Sequence, residues 1–403
     1  MNLNFQRTVD RVAGKLICRL LSWVYFLRGK PELPVEFKEI LVILLSEMGS
    51  LVLAYPMFRA IKDKYPESSI HVLLFEKNRE VLELLDVTPQ ENILTLNDAS
   101  MKTFARDSVR VLRDVRSIGF DAVIDCELFA RVSSIFSFFT GAPVHVGFHP
   151  YTQEGLYRGS FINRPVMYNP YHSITQQFLT MVEALDSNTV PIAKRIVAPE
   201  APEVPSIFFE DEEIRAMSER LYGDFPGIEQ KNLVLIYPSG GILPIRAWPM
   251  DNYITLTGML LDEGHAVAVI GLESDKSLAE EILSRCQTPA CIDLTGYTRS
   301  IRELLILFHL ASLLITNDGG PGQFAAMTPI PSIIFYGPET PALYGSLSRK
   351  ACFFYLSLSC SPCLTAYNHR NSPCDGDNQC LKRIGPDQVY TKAKEMLANE
   401  LNV

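Results

Sequence analysis

Several features are missing from this chain, and each absence removes a class of protein. No apolar run reaches the roughly 20 residues a membrane-spanning helix requires, so the sequence offers no transmembrane segment. The amino terminus lacks the charged, apolar and small-residue succession of a cleaved signal peptide. Low-complexity tracts and short-period repeats are absent, which argues against a disordered or solenoid protein. An excess of positive charge is also absent: 37 Lys and Arg face 46 Asp and Glu, a net −9 that speaks against nucleic acid as the partner.

What is present is a globular composition, 47% apolar and 21% charged, spread over 403 residues. That length exceeds one ordinary core and predicts two domains. Nine cysteines would suit a secreted protein only if they were arranged for pairing. Five of them (Cys18, Cys126, Cys286, Cys291 and Cys352) are scattered through apolar stretches and read as reduced core residues, which predicts a reducing compartment, the cytoplasm.

Charge is unevenly placed. Residues 1–30 carry Arg7, Arg11, Lys15, Arg19, Arg28 and Lys30 against Asp10 alone. Residues 5–28 read as one helix whose cations recur every four positions beside an apolar face made of Val9, Val12, Leu16, Ile17, Leu20, Trp23, Val24 and Leu27. Such a helix either lies in the headgroup layer of an anionic membrane or packs on the protein's own body or a second subunit. The following "KPELPVEF" is a linker.

Beyond it, fully apolar runs alternate with helical patterns. Strands are expected at 39–46, 69–76, 92–96, 121–127 and 144–148, and again at 232–239, 266–271, 291–296, 313–318 and 331–337. Strands apolar throughout and separated by helices imply parallel sheets covered on both faces. The expected fold class is therefore α/β, with two Rossmann-like parallel-sheet domains in series facing a central cleft. The boundaries predicted are 1–35 for the basic helix and linker, 36–200 for the first domain and 201–403 for the second, which takes in a cysteine-rich loop at 360–380. A proline-rich run at 188–206 marks the connection. The stretch 149–172, rich in Tyr, Asn, Arg and Gly, has no period and reads as a functional loop. In open parallel sheets ligands gather beyond the carboxyl ends of strands. There the chain places "TNDGGPGQFAAM" (316–327), whose exposed peptide N–H groups suit a phosphate or, equally, a tight structural turn.

Four motifs appear in order: "ILLSEMGSLVLAYPMFRAIKDKYP", "RAWPMDNYITL", "VIGLESD" and "ITNDGGPGQFAAMTPIPSIIFYGPETP". Together, from about residue 38 to 345, they resemble glycosyltransferase family 9, the ADP-heptose heptosyltransferases of lipopolysaccharide synthesis. The resemblance implies the two-domain GT-B fold, a nucleotide-sugar held by the second domain, inverting transfer and no catalytic metal. ADP-heptose is the first donor expected, and an envelope glycan, lipid or protein the acceptor. The resemblance makes Asp318, Gly319, Gly320 and Gly322 the donor phosphate loop. It puts Arg246 where the family has a diphosphate-binding Lys, Glu273 on ribose hydroxyls, and Ser239, Gly240 and Gly241 beside donor phosphate or sugar. On the acceptor side stand Tyr157, Arg158, Asn169 and His172.

Two positions depart from the family. Its "MGD" supplies an Asp that deprotonates the acceptor; here Ser50 stands there, and a serine is no general base near neutral pH without activation. Glu127, at the end of a strand, is the preferred replacement, with Glu47 second. A His after the glycines is replaced by Gln323, which donates a hydrogen bond but carries no charge, so the sugar need not be heptose. A protein O-glycosyltransferase and a catalytically inactive nucleotide-sugar-binding scaffold are the alternatives; a two-domain sugar epimerase is the remotest.

Cys360, Cys363, Cys374 and Cys380 are spaced as four thiolates from two short loops, which fits a closed structural zinc or iron site. Disulfides or free thiols are the other readings, and His369 is a substitute ligand. The segment resembles the iron-binding cysteine finger of bacterial autotransporter heptosyltransferases.

Overall fold

The computed structural model describes residues 8–29, 31–45, 47–128, 130–148, 157–195, 197, 202–368 and 370–400. The chain divides into two compact units, Met1–Glu203 and Val204–Val403. Each is built on one six-stranded, wholly parallel sheet.

In the first unit the strands are β1 (Glu39–Ile43), β2 (Ser69–Phe75), β3 (Ile93–Leu96), β4 (Ala122–Asp125), β5 (Val144–Phe148) and β6 (Arg164–Val166), in the order β3-β2-β1-β4-β5-β6. Ile40 to Ile43 are fully buried because helices cover both faces of the central strand, which is why its sequence has no polar alternation. Local signals fix several helices. Ser100 and Thr103 form a reciprocal capping box at the start of Met101–Ile118, and Gly119, left-handed at φ 78°, ends it. Chain order reverses between β1 and β4, so the segments leaving these two strands, 44–50 and 126–130, flank the ligand-binding position of such a sheet.

The second unit repeats the plan. Strands β7 (Leu233–Tyr237), β8 (Ala266–Gly271), β9 (Cys291–Thr295), β10 (Leu313–Asn317), β11 (Ser332–Tyr336) and β12 (Ala351–Tyr355) lie in the order β12-β11-β10-β7-β8-β9. Here the switch falls between β7 and β10. Trp248, almost wholly buried, stacks on Phe335 at 4.5 Å and sends its indole N–H to the Ile384 carbonyl, so it packs the core.

All ten expected strands form, each within two residues of its predicted ends except β1, which stops three residues short of position 46. Two edge strands, β6 and β12, escape sequence reading. β6 is three residues long and contains Pro165, tolerated because an edge strand has an unpaired side. It crosses the stretch expected to be loop throughout, of which residues 149–156 lie outside the described residues. The start of the amino-terminal helix, including Arg7, also lies outside them; its described part is a π-helical turn, Asp10–Gly14, running into Lys15–Arg28.

Candidate functional site

The glycine-rich turn leaves the carboxyl end of β10 at the switch point of the second sheet. Asn317, the last residue of that strand, is wholly buried and organises the loops around it. Its amide nitrogen reaches the carbonyls of Tyr237, Pro238 and Ser239 at 3.0–3.3 Å. Its Oδ1 accepts from the Trp248 N–H at 2.8 Å and the Tyr253 hydroxyl at 3.1 Å. One side chain thus ties the ends of β7 and β10 to the segment carrying Arg246.

Ser239 Oγ accepts from the Gly241 N–H at 3.1 Å, closing the turn after β7. Gly240 must be glycine: a Cβ there would sit 2.8 Å from the Leu243 carbonyl oxygen and the Pro244 Cα. That close approach seats the short turn Pro244–Arg246 and delivers Arg246 beside the glycine loop.

Arg246 meets two carboxylates. Its Nη2 donates to Glu339 Oε2, and its Nε lies 3.6 Å from Asp318 Oδ2. Glu339, only 2% exposed, is also approached by Arg370, whose Nε stands 3.3 Å from Oε1. Arg370 donates to the Tyr344 hydroxyl at 3.1 Å and lies over that ring. Gln323 Nε2 donates to the Tyr344 carbonyl at 2.8 Å, so the residue replacing the family's His faces the same cluster. Burial pushes the Glu339 carboxyl well above its usual range, a rise the Arg246 guanidinium opposes and Asp318 reinforces. Burial pushes Arg246 the other way, but Asp318 and Glu339 outweigh it, so its guanidinium stays charged. Four buried polar atoms of Arg246 and its neighbours, Arg246 Nε, Asp318 Oδ2, Gln323 Oε1 and Glu339 Oε1, have no hydrogen bond among the described residues. Buried polar groups are normally satisfied, so their concentration around one cation marks a place that accepts a polar ligand. Glu273 is exposed in the turn after β8; its carboxylate lies against Gly296 at the end of β9, apart from this cluster in the bonding network.

In the first unit, Glu127 is buried at 7% exposure and accepts the Leu45 N–H at 2.8 Å, bracing the chain where it leaves β1. Glu47 is half-buried; its Oε2 accepts from the Ser50 hydroxyl at 3.2 Å at the start of the helix Met48–Lys64. The two carboxylates therefore flank one switch point with unequal access to solvent. Arg158 is 1% exposed and paired with Asp125 at the end of β4, and it also donates to the carbonyls of Glu127 and Ala130. Its guanidinium is thereby committed to holding the β4 loop together. Tyr157 donates to Ser22 at 2.6 Å, whereas exposed His172 meets Gln176 at 3.0 Å and Asn169 bonds Gln177.

The expected zinc or iron site is not formed. Among the described residues no group of three or more His, Cys, Asp and Glu is placed to hold a metal ion, and all four cysteines are free thiols. Each thiol has a different environment. Cys380 is buried in the core against Gly337, Cys363 faces the Ser372 hydroxyl at 3.1 Å, Cys374 is exposed near Asn378, and Cys360 is exposed. Hydrogen bonds shape the segment instead. The N–H groups of Cys363 and Leu364 reach the Pro338 carbonyl at 2.9 and 2.8 Å, and Asn378 reaches the Ile245 carbonyl at 2.6 Å. The segment thereby braces the Arg246 turn from behind and contributes Arg370 to the cluster; His369 lies outside the described residues.

Asn317 and Glu339 were not singled out in the sequence. Asn317 and Glu339 both lie within quoted motifs, whereas Arg370 is brought to Glu339 only by the fold of the cysteine segment.

This chain is similar to lipopolysaccharide heptosyltransferase 2 of Salmonella typhimurium, at 24% identity over 90% of this chain and 99% of the relative. The Escherichia coli K12 protein of the same name is 23% identical over 90% and 99%. Among solved structures, E. coli ADP-heptose LPS heptosyltransferase II superposes with a TM-score of 0.70 at 20% identity, covering 90% of this chain and 99% of that one. E. coli heptosyltransferase WaaC with ADP gives 0.62 at 14% over 89% and 99%. The family description "Glycosyltransferase family 9 (heptosyltransferase)" matches residues 108–372, a span that begins within the helix Met101–Ile118 and takes in the β4 loop, the glycine turn and Arg370. With the doubly wound sheet in both units and most of the length matched, the chain belongs to glycosyltransferase family 9 and is a sugar-transferring enzyme.

Proposed function

We propose that the enzyme moves a sugar, heptose being the first candidate, from a nucleoside-diphosphate donor to a cell-envelope glycan or lipid-linked acceptor at the inner face of the cytoplasmic membrane. The observation that carries this reading is the charged cluster at the second switch point. Arg246 stands beside a glycine turn, with buried polar atoms around it awaiting hydrogen bonds. As the glycosidic bond breaks, negative charge grows on the departing diphosphate, and a preorganised guanidinium with peptide N–H groups stabilises it. Asp318, Gly319, Gly320, Gly322 and Gln323 form the rest of that cradle. Ser239 and Gly240 border it, and Glu273 takes the ribose. ADP is the base-bearing half suggested by the relatives, two of whose solved structures are named for ADP or ADP-heptose.

On the acceptor side Glu47 is the general base we favour, because it is open to solvent where Glu127 is buried and bound to a backbone N–H. Ser50, in the position of the family's Asp, orients it. Tyr157 and His172 border the acceptor, and Arg158 supports the loop between them and β4. The protein-acceptor alternative rested on the cysteine finger, and with those thiols ungathered nothing favours it.

A thermal-shift screen across ADP-, GDP-, UDP- and TDP-sugars tests the donor reading. A true donor at about a hundred times its dissociation constant stabilises the native state by about 2.7 kcal/mol. No shift with any of them overturns it. Binding without donor hydrolysis or transfer leaves the scaffold alternative in its place.

A further inference from the structure

The two faces of the amino-terminal helix have opposite fates. One face is bonded to the first unit. Asp10 Oδ1 accepts the N–H groups of Arg131 and Val132, both at 2.9 Å, and so caps the helix Arg131–Thr140. Gly14 lets the two segments touch: a Cβ there would lie 2.9 Å from Arg131 Cβ. Ser22 accepts from the Tyr157 hydroxyl and the Ser160 N–H, and Tyr25 accepts from Asn163 at 3.2 Å. Leu21, Val24 and Tyr25 pack on Phe138, Phe161 and Ile162.

No described residue of the first unit covers the opposite face. Leu16, Leu20, Trp23 and Leu27, at i, i+4, i+7 and i+11, are 58, 65, 64 and 62% exposed, and Phe26 is 79% exposed. A contiguous apolar stripe of this kind on a folded surface marks an interaction site. Between the bonded and the apolar faces runs a third line, Arg11, Lys15 and Arg19, spaced one turn apart. No described helix is long and apolar enough to cross a bilayer.

We propose that this face docks the enzyme on an anionic lipid bilayer, the helix lying in the plane of the headgroups. The apolar stripe enters the acyl boundary, Trp23 sits at the interface, and Arg11, Lys15 and Arg19 meet lipid phosphates. Charge chooses this occupant over a second copy of the chain. Residues 1–30 carry six cations and one anion in a protein of net −9, so an anionic surface attracts this end and repels the remainder. A two-fold contact between copies would instead bring two cationic stripes together. Because the inner face is hydrogen-bonded to the first unit, the helix holds that unit against the membrane in one orientation rather than on a loose tether. The membrane location given above is the only part of the functional reading that this needs, and the test uses no nucleotide.

Co-sedimentation with vesicles of phosphatidylcholine alone, or with about 30% phosphatidylglycerol, checks it. The full chain should bind the anionic vesicles only, and release as salt rises. Leu20→Glu with Trp23→Glu should lower binding at least tenfold. Arg11→Gln, Lys15→Gln and Arg19→Gln together should lower the partition coefficient about a hundredfold or more, at about 1 kcal/mol per cation. Unfolding midpoints measured in parallel should not move, since the substituted groups lie outside the bonded face. Wild-type protein left in the supernatant with anionic vesicles overturns the proposal, as does unchanged binding by the triple variant. A concentration-dependent dimer that Leu20→Glu/Trp23→Glu dissociates, without vesicle binding, would assign the face to a second copy and equally overturn it.

Discussion

Replacing Arg246 with Gln separates the two roles the structure gives that residue. The side chain is 15% exposed and stands between Asp318 and Glu339, themselves 8 and 2% exposed. At 3.6 Å from Asp318 and an effective dielectric near 20, that attraction alone is about 5 kcal/mol before the desolvation of both groups is subtracted. Removing one partner of a buried pair leaves the other uncompensated, and such losses run to about 3–5 kcal/mol. Arg246→Gln should therefore lower the unfolding free energy measured in urea by that order, with Arg370 offsetting part of it. It should also weaken ADP binding, since a charge-assisted hydrogen bond contributes about 1.5–3 kcal/mol, or roughly ten- to a hundredfold in dissociation constant. The informative protein is Arg246→Gln/Glu339→Gln. Neutralising Glu339 removes one of the two stranded carboxylates and should restore part of the stability, but it supplies no cation for the diphosphate. Calorimetric titration with ADP beside urea unfolding reads both. If the double variant recovers ADP affinity together with stability, Arg246 is a brace rather than a phosphate ligand, and the reasoning fails.

Glu47→Gln should reduce turnover by about a hundredfold or more, the usual contribution of a positioned base, while ADP affinity is unchanged. Glu127→Gln should chiefly lower stability, because it weakens the bond to the Leu45 N–H; full turnover in the Glu47 variant would refute the assignment. Arg158→Met leaves Asp125 buried and unpaired and should cost about 3–5 kcal/mol in urea unfolding, most of it recovered by adding Asp125→Asn. Burial lowers the His145 pKa from 6.5 to about 4, so the fold keeps the ring neutral while the unfolded chain protonates it. Its contribution is complete above about pH 6.5 and is lost as pH falls through 4, about 3 kcal/mol in all. Chemical denaturation of wild type and His145→Gln between pH 7 and 4 should show the stability gap closing in that window, and a constant gap would count against it.

The architecture was legible because its signal is chemical and local. A strand buried on both faces is continuously apolar, and such runs at 40–43 or 266–271 can hardly be anything else once helices alternate with them. Edge strands lack that signal. β12 is half-exposed along its length, and β6 is pinned by pairing to β5 rather than by its own composition. The same divide runs through the site. Glycines and Arg246 announced themselves by motif, but the network that positions them is assembled by tertiary contacts. Asn317 serves five hydrogen bonds to segments more than 60 residues away, which no window of sequence contains.

The cysteine segment makes the point in reverse. Its spacing satisfies the loop geometry of a tetrathiolate site, yet spacing constrains only how far apart the thiols can be along the chain. What decides their use is where each Cβ points, and that is set by neighbours the spacing does not encode. Cys380 is drawn into the core with Leu381 and Ile384, while Cys363 follows a backbone pinned to the Pro338 carbonyl. The residue from this segment that reaches the candidate site is then a cation, Arg370, held at φ 56° where it can meet Glu339. A loop read as a metal clamp contributes instead through its hydrogen bonds and one guanidinium. Arg370→Ala should accordingly weaken ADP binding through Glu339 and Arg246, whereas Cys374→Ser, on an exposed thiol, should leave both binding and unfolding unchanged.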